Sequence, residues 1–384
     1  MLDDAKRILS DLIAFPTVST DSNLDIIDYI AEHLRNCGAK VDIYPDAGGK
    51  KANLFATLGP DVAGGLVLSG HSDVVPVADQ DWATDPFEMV ERDGRLYGRG
   101  TCDMKGFIAA TLAMAPRFAQ IERQAPIHFA FTHDEETGCL GAQNLVEDLQ
   151  KRAHQPAMAV IGEPTMMRLI EGHKGCYEYT VRFQGLEGHG SDPDRGVNAV
   201  EVASQYVAHL LELREALKEK APTDSPFEPP CTTLNVGALK GGSVHNVIAP
   251  KAQLDWEMRP VQLSDARFVK EAMQAYCDEV LLPKMRSVCS QASIETEIVG
   301  EVVGLVPMEA NKVKWIVAEL TGANSADVVP FGTEAGIFQS IGMDVVVCGP
   351  GSIDQAHKAN EFIEIDQLSQ CLKMLDKLGD KLSS

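Results

Sequence analysis

Apolar positions follow two periods along this chain. Residues 2–14 place Leu2, Ile8, Leu9, Leu12 and Ile13 toward one side, and residues 25–36 do the same with Ile26, Ile27, Ile30, Ala31 and Leu34. Both stretches predict amphipathic helices, stopped by Pro16 and Gly38. By contrast, 65–69, 126–131, 157–161 and 345–348 are short, mainly apolar runs. They are too short for helices and predict strands buried on both faces. Each run leads into polar residues. Gly70-His71-Ser72-Asp73 follows the first and Thr132-His133-Asp134-Glu135-Glu136 the second. Gly162-Glu163-Pro164 closes the third, and Gly349-Pro350-Gly351-Ser352 follows the fourth, with His357 shortly after. In open α/β sheets ligands bind beyond the carboxyl ends of the strands, so one shared cleft is expected. Asp103 stands at the mouth of a predicted helix over 104–118, where it also suits a plain N-cap.

The pattern changes after residue 175. Residues 177–183 alternate like a half-exposed strand, and 198–218 carry Val202, Tyr206, Leu210, Leu213 and Leu217 at helical spacing. Strands at 232–236 and 253–258, a helix over 265–284 and a strand at 293–298 complete the order βαββαβ, the ferredoxin-like pattern. The expected fold class is α/β, with a mixed, largely parallel sheet between helices in a catalytic domain built from 1–175 and 302–384. The ferredoxin-like domain is inserted at 176–301. Later helices are predicted at 311–321, 335–341 and 366–382.

Length agrees with two domains, since 384 residues exceed one typical core. The formal net charge of −22 repels nucleic acid and anionic membrane, so neither is expected as a partner. A small anionic substrate stays open, because a few Arg or Lys residues reverse the field inside a cleft. The nine cysteines include no C-x-x-C, which argues against a disulfide framework and a thiolate zinc site and predicts a cytoplasmic protein. Met1 leads into Asp3 and Asp4 rather than a basic and then apolar leader, so no signal peptide is expected. No apolar run approaches the roughly 20 residues needed to span a bilayer.

The chemistry lies in the convergence. Asp73, Asp103, Asp134, Glu135, Glu136 and Glu163 would share one cleft with His71 and His357. So many carboxylates repel one another unless cations join them. Two imidazoles with carboxylates and no thiolate suit divalent zinc, cobalt or manganese. Two such ions bridged by a carboxylate and water make a hydrolytic site. One of Glu135 and Glu136 is then available as general base, since neighbours in an extended loop point in different directions. No G-x-S-x-G, H-E-x-x-H or Walker A sequence competes, and no G-x-G-x-x-G follows a first strand. Cys102 reads as a small buried residue rather than a nucleophile.

Five stretches carry a family resemblance. They are Ser69-Gly70-His71-Ser72-Asp73-Val74-Val75-Pro76, Gly98-Arg99-Gly100-Thr101-Cys102-Asp103-Met104-Lys105-Gly106, Asp134-Glu135-Glu136-Thr137-Gly138, Gly162-Glu163-Pro164-Thr165 and the segment around His357. In these the chain resembles the dinuclear zinc amidohydrolases, the family of acetylornithine deacetylase, succinyl-diaminopimelate desuccinylase and the glutamate carboxypeptidases. The resemblance implies two divalent ions, Zn2+ with Co2+ able to substitute. It implies Asp103 as the bridge, His71 and Glu163 at one ion, Glu136 and His357 at the other, Glu135 as general base and Asp73 orienting His71. It also implies a homodimer paired through the inserted domain, a lid histidine at His189, and Arg259 and Asn246 holding a substrate carboxylate. Arg259 suits that task through its planar fork. Phe331-Gly332-Thr333-Glu334-Ala335 and Pro350-Gly351-Ser352-Ile353-Asp354-Gln355-Ala356-His357 look most like the acetylornithine deacetylase branch, with Glu334 meeting a substrate amine. The implied reaction is hydrolysis of an N-acyl amino acid, N2-acetyl-L-ornithine first and N-succinyl-LL-diaminopimelate as the alternative. A non-catalytic metal- or peptide-binding protein on the same fold is the second alternative.

Overall fold

The two opening apolar stripes become α1 (Leu2–Ile13) and α2 (Leu24–Asn36), each burying the Leu and Ile residues named above except Leu2, which is half-buried. The first part of the chain continues through β1 (Lys40–Pro45), β2 (Ala52–Leu58), β3 (Leu66–His71), β4 (Val90–Arg92), β5 (Arg95–Tyr97) and α3 (Lys105–Gln120). β6 (Ile127–Thr132), α4 (Leu140–Gln150), β7 (Met158–Pro164) and β8 (Ile170–His173) follow. The second part holds β9 (Cys176–Gln184), β10 (Gly188–His189), α5 (Ala199–Glu219), β11 (Thr233–Gly241), β12 (Val247–Ile248) and β13 (Lys251–Arg259). It ends with α6 (Leu263–Tyr276), α7 (Leu282–Arg286) and β14 (Ser293–Val302). The chain closes with α8 (Lys312–Thr321), β15 (Asp327–Val329), α9 (Ala335–Ser340), β16 (Asp344–Gly349), β17 (Phe362–Glu364) and α10 (Ile365–Leu382).

This computed structural model describes residues 1–382. It divides into two compact units. One comprises Met1–Gly172, Pro307–Val328 and the chain from Thr333 onward, and the other His173–Val306 with Val329–Gly332.

The first unit is built on an eight-stranded sheet in the order β1-β2-β6-β3-β7-β16-β8-β15. β6, β3, β7 and β16 are adjacent and parallel, while β1, β2 and β8 join antiparallel. All six residues of β3 and of β6 are buried, as expected of parallel strands covered on both faces. Leu66 and Leu68 of β3 join one core with α1, α2, α3, α8 and α10. α4 and α9 pack on each other and on the strands. Four parallel neighbours therefore present their carboxyl ends side by side.

The second unit is a four-stranded antiparallel sheet in the order β11-β13-β9-β14, packed against α5 and α6. Along β9, Tyr177, Tyr179, Val181 and Phe183 are buried, while Glu178, Arg182 and Gln184 are exposed on the other face. The single helix expected over 265–284 is instead interrupted by a π-helical turn, Cys277–Leu281, between α6 and α7. Pro283 accounts for the break: it donates no amide hydrogen and its ring crowds the carbonyl four residues back.

Candidate metal centre

The site is assembled at the ends of the parallel strands. His71 is the last residue of β3, and Glu163 the penultimate residue of β7. A Cβ on Gly162 would lie 2.0 Å from the Phe107 ring, so glycine there lets α3 pack close beneath Glu163. Glu135 and Glu136 occupy the turn after β6, and His357 lies on the loop after β16 with φ +61°. Asp103 is not a helix cap. Met104 takes that position without a side-chain cap bond, and the Asp103 carboxylate turns to the imidazoles instead.

Asp103 stands between the two rings. Its Oδ1 lies 3.0 Å from His71 Nε2 and its Oδ2 3.3 Å from His357 Nε2. His71 Nε2 is also 3.8 Å from Glu163 Oε1, and His357 Nε2 is 3.0 Å from Glu136 Oε2. One donor atom each from His71, Glu135 and Glu163 lies within 4.8 Å of the others, and the same holds for His71, Asp103 and Glu136. His71, Asp103 and Glu163 are buried, whereas the His357 side chain is 55% exposed.

The protonation states report the strain of this crowding. Burial would push the His71 imidazole down, but the Asp103 carboxylate hydrogen-bonded to it and the Asp73 carboxylate close by raise it well above its ordinary value. Asp103 and Glu136 hold His357 up at about 10. Burial, then the neighbouring Glu136, Asp103 and Asp73, pushes Glu135 up to about 8 despite the opposing His71. Burial and Asp103 also raise Glu163 well above the carboxylate range. Asp103 itself is held far below it by the two imidazoles, against its own burial. Glu163 Oε1 is buried with no hydrogen-bond partner. An orphaned buried carboxylate oxygen is costly, and a cation between it and His71 would satisfy it. The donor set therefore fits divalent ions, with His71, Asp103 and Glu163 able to hold one and Asp103, Glu136 and His357 the other.

The remaining residues singled out in the sequence fall in different places. The Asp73 main-chain carbonyl, not its carboxylate, accepts from His71 Nδ1 at 2.9 Å; the nearer carboxylate oxygen is 3.6 Å away. That carboxylate instead accepts the amides of Glu135 (3.1 Å) and Glu136 (3.4 Å) and the Ser19 hydroxyl (2.7 Å). Ser19 is thus a site residue that no motif or period in the sequence singles out. Asp134 binds Lys51 and His133. Glu334 does not suit the amine-binding role expected of it. It is fully buried, and Ser69 Oγ (2.5 Å) and Thr132 Oγ1 (2.8 Å) donate to its two oxygens.

In the second unit, His189 is exposed and its Nδ1 accepts from Ser191. Asn246 is its neighbour, since β10 pairs with β12 and the Asn246 carbonyl accepts from Gly190 N at 2.9 Å. Arg259 lies at the far end of β13, where Nε and Nη2 donate to Glu257. β13 itself runs about 26 Å from Lys251 to Arg259 at ~3.3 Å per residue, and Asn246 lies before it, beside His189.

Known proteins agree with this architecture. The sequence profile of peptidase family M20/M25/M40 matches residues 67–381. An acetylornithine deacetylase of Shigella sonnei (strain Ss046) is 35% identical over 365 residues, covering 93% of this chain and 92% of that protein. An M20 family metallo-carboxypeptidase of Sulfolobus solfataricus superposes with a TM-score of 0.76 at 17% identity, covering 99% of each chain. A dinuclear metal-binding peptidase of Bacillus subtilis does so with a TM-score of 0.65 at 15% identity, covering 99% of this chain and 98% of that one. With its profile matched over most of its length and a relative above 30% identity across nearly all of it, this chain belongs to peptidase family M20/M25/M40 and is a metal-dependent amidohydrolase.

Proposed function

We propose that the chain hydrolyses N2-acetyl-L-ornithine to L-ornithine and acetate. The carrying observation is the pair of imidazoles on opposite oxygens of Asp103, beside a glutamate that need not ligate. The identity to a protein named for this substrate supports the choice of acyl amino acid. His71, Asp103 and Glu163 would hold one ion and Asp103, Glu136 and His357 the other. Zinc is the ion this nitrogen and oxygen donor set favours, with cobalt as a substitute. When bound, the two ions polarise the amide carbonyl and make water acidic near neutral pH. Glu135 accepts the proton of the attacking water and delivers it to the leaving nitrogen as the C–N bond breaks. Asp73 keeps Glu135 aimed by holding its amide.

His189, Asn246 and Arg259 are the proposed substrate-positioning groups. A homodimer is proposed with them, with His189 of one copy completing the partner's site. The described cysteines are all free, which agrees with a reducing cytoplasm.

The test is release of free amine from N2-acetyl-L-ornithine, beside N-succinyl-LL-diaminopimelate, acetyl-methionine and acetyl-citrulline, with zinc or cobalt and again after chelation. Chelator-sensitive turnover of acetylornithine above the others is expected. Turnover of another member of the set would move the substrate assignment, and silence on all four with metal bound would overturn the catalytic reading.

A further inference from the structure

One buried network in the first unit belongs to no ligand, yet it touches the loops of two. Glu361 is 1% exposed. Its Oε2 accepts from Arg99 Nη1 (2.7 Å) and Gly100 N (3.0 Å), and its Oε1 from Cys102 N (2.8 Å) and Asp103 N (3.0 Å). Four donors fill a carboxylate's acceptor sites, so Glu361 has nothing left for an ion. Arg99 is equally buried. Its Nη1 also donates to the Lys358 carbonyl (3.3 Å) and its Nη2 to Gln80 Oε1 (2.6 Å). Gln80 Nε2 donates in turn to the carbonyl of His357 (3.0 Å).

The loop these contacts hold needs holding. His357 and Asn360 both take left-handed backbone, at φ +61° and +58°. Non-glycine residues keep such conformations only where the surroundings over-determine them. His71 and Glu163, by contrast, are fixed by strands paired within the sheet.

We propose that Gln80, Arg99 and Glu361 form a clasp. It ties the loop bearing His357 to the backbone of Asp103, and so sets the affinity of the ion held by Asp103, Glu136 and His357 without touching it. These are positioning residues, and the inference rests on the two-ion reading above. Changing partners that orient metal ligands lowers metal affinity by roughly 10–100-fold. Here the loss falls mainly on the ion that His357 reaches, because the other keeps two ligands, His71 and Glu163, seated on strand ends.

The experiment is calorimetric titration of the stripped full-length chain with zinc alone, for wild type, Gln80→Ala and Glu361→Gln. Arg117→Met, which removes an exposed Arg117–Asp376 and Arg117–Asp380 pair, is the control. Wild type and control are expected to take two ions. Both clasp variants should bind the weaker ion roughly 10–100-fold less tightly, with the tighter ion affected far less. Breaking a buried ion pair is strongly destabilising, so melting of the stripped proteins is read alongside; if Glu361→Gln fails to fold, the half-buried Gln80→Ala decides. Wild-type affinities for both ions in a folded variant overturn the clasp. Equal weakening of both ions overturns it too, since the network would then support the whole unit and not one loop. Fewer than two ions in wild type overturns the two-ion reading first, and the clasp with it.

Discussion

His71 ends a strand paired to β6 along its whole length, and Glu163 sits one residue from the end of the neighbouring strand. His357 rides on a loop, half exposed, in left-handed backbone. Both imidazoles meet the same carboxylate at similar distances, 3.0 and 3.3 Å. One half of the centre is therefore rigid because the sheet is rigid. The other half is on a loop whose His357 stretch depends on side chains that reach it from elsewhere. A binuclear centre built this way has one seat supplied by the fold and one supplied by a hydrogen-bond network, and the two should fail differently.

The largest effect separates chemistry from seating altogether. Glu135→Gln is expected to lower kcat by about 10²–10⁴-fold while zinc titration still finds two ions. Loss of an ion in that variant would exchange the roles of Glu135 and Glu136. Next, His71→Ala and His357→Ala should each remove one ion, but the first should destabilise the stripped protein more. Both leave Asp103 short of a partner, but only the buried ring also leaves a cavity, worth on the order of 1–3 kcal/mol more. Equal melting temperatures for the two stripped variants would erase the distinction between the halves.

A third imidazole supplies the contrast in charge. His128 is buried in β6, where Thr57 Oγ1 lies 2.9 Å from Nδ1 and the Gly64 carbonyl 3.2 Å from Nε2. With no acid beside it, burial lowers it to about 4. The unfolded chain, with an ordinary value of 6.5, binds the proton first as pH falls. Stability from this group is thus full above pH 6.5 and lost as pH falls through about 4, by about 3 kcal/mol at most. Melting temperature should decline over that window, and His128→Gln should flatten the decline; an unchanged slope would refute the assignment. The smallest expected effect is Ser19→Ala, which removes one hydrogen bond from Asp73 at about 1 kcal/mol. It should lower kcat several-fold through Glu135 and leave zinc binding intact, and a variant as active as wild type would show that the Asp73 contact is idle.

The strand-end half of the centre was the legible half. A buried parallel strand writes itself as a short apolar run, and the polar residue that follows must lie at its carboxyl end, so His71 and Glu163 could be placed from pattern alone. His357 stands eight residues beyond β16, after a short helical turn, so the pattern could place it only on the segment after the fourth strand, and its role as a ligand came from the family resemblance. The clasp was invisible because Arg99 and Glu361 lie 262 positions apart and meet only once the chain has folded. Asp73 does face His71, but through its main chain, while its carboxylate holds the Glu135 and Glu136 amides. Neither period nor spacing tells whether a carbonyl or a carboxylate faces a ring, and its hold on Glu135 depends on β3 and β6 being neighbours. Glu334 failed as an amine receptor for a related reason: a lone acid in a Gly-Thr-Glu run gives no sign that two hydroxyls from β3 and β6 will close over it.

The most direct test of the central claim, that two cations share Asp103, is a crystal structure of the zinc-loaded protein with anomalous data at the zinc edge. Two peaks about 3.5–4 Å apart are predicted, one beside His71 and Glu163, the other beside Glu136 and His357, with the Asp103 carboxylate between them. A single peak, or zinc bound away from Asp103 in an active enzyme, would contradict the account.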